Sequence, residues 1–144
     1  MISTNQVALR DALAGVLDRE SFLSWRGFWE RRHDVTELPG TLERIRSETL
    51  EPDGLAQFSR ALSFLDVAPR IRALNRSHGT YGWKHAAERW HRAGSAPYAD
   101  YYIGEGSFIA ACVVSGMTIY RGRYATLTNL SQRAWTMGET RSAV

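Results

Sequence analysis

The chain is short of most things that would declare its chemistry at once. One cysteine among 144 residues excludes an internal disulfide. Cys112 also lies in the most apolar run, where a lone thiol serves as a small hydrophobe. That run, 108–114, falls far below the roughly 20 residues that cross a bilayer, so no membrane partner is expected. The opening Met1-Ile-Ser-Thr-Asn-Gln has neither the basic nor the apolar region of a secretory leader, and a cytoplasmic location is the expectation. There is no repeat and no low-complexity tract. Gly104-x-Gly106 has no third glycine at the dinucleotide spacing and none of the lysine and hydroxyl of a Walker loop, so it reads as a tight turn. No cofactor is implied.

What is present describes an ordinary globular body. The hydrophobic fraction of 44% and charged fraction of 23% are typical of one folded domain, which at this length buries roughly two-thirds of its unfolded surface. The net charge of +3 is unevenly spread. Residues 1–59 carry seven basic and ten acidic side chains, whereas 60–92 carry seven basic and two acidic. An acidic front thus precedes a basic middle, which suggests an anionic partner or a solvated face matched to the front.

Helical periodicity dominates the first half. Ser3 and Gln6 have capping-box spacing before Val7, Leu9, Leu13, Val16 and Leu17. Asp18 can cap a second helix carrying Phe22, Leu23, Trp25, Phe28 and Trp29. Leu38-Pro39-Gly40 signals a turn, and Thr41 opens a shorter helix. Pro52 suits the first turn of a helix with a Leu55, Phe58, Leu62, Leu65 stripe. Beyond Pro69, Arg70–Arg76 reads as a short basic helical continuation. Thr80 can cap a helix that Gly94 ends. Segment 108–114 is apolar on every side and reads as a buried helix capped by Gly116, and 118–128 as a hairpin turning at Arg121-Gly122-Arg123.

The richest window is His78 to His91, with three of the four histidines and two of the five tryptophans. His85, Glu88 and His91 step by three and drift around a helix, missing the His-x3-His geometry of zinc, so no metal is expected. Tyr81, Lys84, His85 and Glu88 share one helical face. A histidine oriented by a glutamate is a workable acid–base pair, and Lys84–Glu88 is equally an i, i+4 ion pair. No nucleophile accompanies them. Nucleic-acid binding is the better supported activity: Arg70, Arg72, Arg76, Lys84, Arg89 and Arg92 supply charge, and Arg121 and Arg123 sit where a wing meets phosphate. Helix, helix and hairpin resemble the order of a winged helix. The apolar 108–114 segment cannot show polar groups to base edges, so contact is expected to backbone or single strands. The competing partner is a protein complex, met through Tyr98, Tyr101 and Tyr102.

Thr80-Tyr-Gly-Trp-Lys-His-Ala-Ala-Glu88 followed by Tyr102-Ile-Gly-Glu-Gly-Ser-Phe-Ile-Ala-Ala111 resembles an uncharacterised family of small bacterial and phage proteins across roughly residues 70–130. Members typically carry leucine at Trp83 and asparagine-glycine at Glu105-Gly106. The resemblance implies no activity; it implies a mobile-element setting, where small proteins bind nucleic acid or inhibit host defence in the manner of anti-CRISPR proteins. The expectation is therefore a mainly α, single compact helical domain of five to seven helices with a short C-terminal β-hairpin and a winged-helix-like second half. It divides into an acidic helical front (1–50), core helices and hairpin (51–137) and a flexible tail (138–144).

Overall fold

The 3.6-residue stripes of the sequence become helices. The computed structural model describes residues 4–28, 38–95, 97 and 99–141. Helices α1 (Thr4–Arg19), α2 (Leu38–Thr49), α3 (Pro52–Val67), α4 (Thr80–Gly94) and α5 (Glu105–Val114) are followed by a 3-10 turn (Gln132–Thr136) and the single-turn α6 (Met137–Thr140). The protein is mainly α with a small C-terminal sheet. Leu13 and Val16 of α1, Phe58 and Phe64 of α3, Trp83 of α4 and Phe108 and Ile109 of α5 meet in one core. The acidic front is thereby built into the same domain as the basic middle. Each fully buried aromatic there contributes about 1.5–3 kcal/mol by leaving water.

Segment 108–114 is helical, as its alanines suggested, and it ends through its glycine. Gly116 adopts φ +74. Its N–H donates to the Val113 carbonyl (3.1 Å) while the Met117 N–H reaches back to Cys112 (3.0 Å), the two-bond closure that a left-handed glycine permits.

Four expectations are corrected. Residues 22–28 are not a helix but a ribbon, β1 (Leu23–Ser24) against β2 (Gly27–Phe28), turning through Trp25 and Arg26. Gly27 takes φ +119, a conformation that a helix cannot use. Arg46 from α2 holds the ribbon's approach by donating to the carbonyls of Leu17, Glu20 and Leu23. Helix α2 begins at Leu38, with Pro39 inside its first turn, where no N–H is needed. Arg70–Asn75 is strand β3, not a helical extension, because Pro69 breaks α3 and β5 (Thr126–Leu130) supplies a ladder. The chain from Gly138 to Arg141 is packed: Gly138 sits against the backbone of Arg89, and Arg141 donates to the Trp90 carbonyl (2.9 Å). Ser3 and Trp29 lie outside the described residues.

Strand β4 (Ile119–Arg121) pairs with β5, giving an antiparallel sheet of order β3-β5-β4. From α3 onward the order is helix, strand, helix, helix, hairpin, with the first strand beside the last.

Candidate functional site

The shared face of α4 forms as its spacing requires. Lys84 Nζ lies 3.2 Å from Glu88 Oε2, and His85 Nδ1 is 2.8 Å from Glu88 Oε1. A carboxylate only accepts, so His85 donates from Nδ1 to Glu88. The Ile103 N–H also donates to Glu88 Oε2 (2.9 Å), tying α4 to the loop before α5. Lys84 is only 5% exposed and lies 4.6 Å from the centre of the Tyr102 ring. The cluster is therefore a buried clasp with one histidine edge in solvent, and no serine, threonine or cysteine joins its hydrogen bonds among the described residues. Lys84 is withdrawn from any phosphate-binding surface.

The other basic candidates separate into two groups. Arg89 lies over Trp135 and donates to its carbonyl (3.3 Å), and Arg92 sits over Tyr101. Arg89 belongs to the packing of α4, whereas Arg92 stays exposed. Arg70 is tied to the Ser115 carbonyl (2.8 Å). Arg72, Arg76 and Arg123 are exposed, and no ion pair between described residues joins them to the acidic front. Arg121 lies 4.3 Å over the Phe28 ring.

Register brings the second group together. Asn75 and Ile119 both pair with Thr128, and Arg121 pairs with Thr126. Gly79 abuts Ala125 and the Thr126 carbonyl. Arg76, Arg121 and Arg123 thus lie toward the hairpin end of the sheet, with Arg76 and Arg121 on opposite sides of β5. Tyr120 (52% exposed) and Tyr124 (89% exposed) flank them, an aromatic contribution missed from the sequence although Tyr-Arg-Gly-Arg-Tyr is symmetric about the turn.

Helix α5 is covered. Phe108 through Cys112 are buried, α1 and the ribbon pack against the helix, and the Gly106 N–H donates to the Trp25 carbonyl (2.9 Å). Groove reading by this helix is excluded by packing as well as by its apolar sequence.

Tyr101 and Tyr102 are exposed, but their loop is fixed: Arg60 donates to the Tyr102 carbonyl (2.7 Å) and pairs with Asp100 (3.5 Å). Tyr98 lies outside the described residues. No helix among the described residues is long and apolar enough to cross a membrane, and none of their histidine, cysteine and carboxylate groups cluster as a metal site would. No family model, curated protein or solved structure matches this chain.

Proposed function

We propose that this is a non-catalytic binding protein of mobile-element or phage type that holds single-stranded nucleic-acid backbone against the hairpin end of its sheet. One observation carries the reading: Arg76, Arg121 and Arg123 lie toward the hairpin end of the sheet, where the hairpin also exposes two tyrosines, while the helix that would enter a duplex groove is buried. Arg72 extends the charge along β3. Guanidinium groups meet phosphates, and tyrosine faces accept bases without regard to sequence. The enzyme reading loses ground because Glu88 is occupied as a clasp and offers His85 no partner to activate.

Fluorescence anisotropy with labelled single- and double-stranded DNA and RNA tests the proposal. Four arginines on a single strand give a log affinity against log salt slope of about −3. Arg72→Ala/Arg123→Ala should bring it to about −1.5 and weaken binding at every salt concentration. No binding of any nucleic acid at low salt, where electrostatics are strongest, would overturn it.

A second reading draws on Tyr81 (61% exposed), Tyr102 and Arg92, whose aromatic and arginine composition suits a protein interface. A host defence complex inhibited by docking there would bind with little dependence on salt.

A further inference from the structure

Beside the hairpin is a recess of about 520 Å³ whose walls include Phe28, Glu105, Ile109, Arg121, Arg123 and Tyr124. Its chemistry is mixed in a way that narrows the occupant. Two guanidinium-bearing residues and a carboxylate face one space. Phe28 lies under Arg121, so the pair forms a layered platform, and Tyr124 also lines the recess with Arg123 over its ring (5.3 Å). The carboxylate is held in place: Thr80 Oγ1 donates to Glu105 Oε2 (2.7 Å), and Gly27 leaves room beside Oε1.

A bare phosphate would meet Glu105 as well as the arginines, and a bare cation would meet the arginines as well as Glu105. The ligand that satisfies both carries hydrogen-bond donors for the carboxylate, anionic oxygens for Arg123 and a flat body for the platform. A nucleotide has all three. Among the bases, guanine alone offers two adjacent donors, N1–H and N2–H, on its Watson–Crick edge. Adenine and cytosine put one amino group beside an acceptor that a carboxylate repels, and uracil and thymine set one N–H between two carbonyls.

We propose that this recess takes one guanine nucleotide unit, with the base between the Phe28–Arg121 layer and Tyr124, its donor edge on Glu105, and its phosphate at Arg123. The proposal rests on the nucleic-acid reading above and names the base which that surface selects.

The test compares labelled single-stranded oligonucleotides of uniform thymidine with the same strands bearing one central dG, dA or dC, against wild type, Glu105→Gln and Tyr124→Ala. Glutamine keeps an oxygen for Thr80, and Tyr124 is too exposed to support the fold, so both variants should remain folded by circular dichroism. The dG strand should bind about tenfold more tightly than the others. Glu105→Gln should erase that preference and Tyr124→Ala should reduce it. Guanosine monophosphate should compete for it, whereas adenosine monophosphate and inorganic phosphate should not. Equal, salt-dependent binding of all strands would overturn the recess and leave the surface reading standing. No strand binding together with no mononucleotide binding would overturn both. Guanosine monophosphate binding without strand binding would support the recess and assign it to a free nucleotide.

Discussion

Cys112 and His91 are buried to different extents, and each makes a separate prediction. Burial pushes the Cys112 thiol up to about 12, outweighing its hydrogen bond with Thr128 and the influence of Arg70. The thiol is protonated and inaccessible at neutral pH, so a thiol reagent should label it only as fast as the protein unfolds. Rapid labelling of the native protein would contradict this packing. His91 is half-buried and donates from Nε2 to the Arg60 carbonyl (2.7 Å). Desolvation lowers its pKa from 6.5, helped by Arg141 and Arg60 and opposed by the bond to the Arg60 carbonyl. The folded state therefore prefers the neutral ring. That stability is fully present above about pH 6.5 and is lost as pH falls toward the lower folded-state value. Urea melts at about pH 7.5 and about pH 5.5 should show a loss that His91→Gln makes smaller.

Glu88 distinguishes a structural clasp from a catalytic base. It neutralises Lys84, which is almost wholly buried, and accepts the Ile103 N–H. Glu88→Gln should cost about 3 kcal/mol by leaving a buried cation unpaired, and adding Lys84→Met should recover part of it. A Glu88→Gln protein of unaltered stability would contradict the clasp. The meeting of Tyr81, Lys84, His85 and Glu88 was legible because an i, i+4 face is local. The burial of Lys84 was not, because it depends on Tyr102 and Ile103, far along the chain.

Elements formed by nearby residues could be read from sequence, and those formed by distant ones could not. Helix α3 follows from its own stripe and from Pro52. Strand β3 needs β5, since Arg70 pairs with Leu130, and the basic run by itself resembles a helical extension. The ribbon at Leu23–Phe28 depends likewise on Arg46 and on Thr49, whose Oγ1 accepts from the Trp25 N–H (2.9 Å). Its contact with α5 is close enough to set residue size: a Cβ on Gly106 would collide with the Ser24 carbonyl. Gly106→Ala should destabilise by about 2–4 kcal/mol, as forced overpacking does. Gly15→Ala in α1, where nothing lies within 4 Å, should stabilise by about 0.5–1 kcal/mol. Thermal melts of the two variants should shift in opposite directions.

At the scale of the whole molecule, the acidic front does two jobs that composition could only hint at. It completes the core through Leu13, Val16 and Leu23, and it packs over α5. Charge segregation in the sequence becomes partly spatial: Arg76 and the hairpin arginines lie toward one end of the sheet, while Arg70 pairs with Leu130 at the other. The surface was legible in part, since Arg121 and Arg123 flank an evident turn. Tyr120, Tyr124 and Phe28 joined it only through register and through a ribbon that the sequence disguised as a helix.

The central claim is that this sheet end, and not the tyrosine face of α4, is the working surface. The most direct measurement is a titration of isotopically labelled protein with a short single-stranded oligonucleotide at low salt, following each backbone amide by nuclear magnetic resonance. The account predicts shifts concentrated in 70–79 and 119–127, with Glu105 and Phe28 moving when the strand contains guanine. Shifts centred on Tyr81, Tyr101 and Tyr102, or no shifts at all, would contradict it.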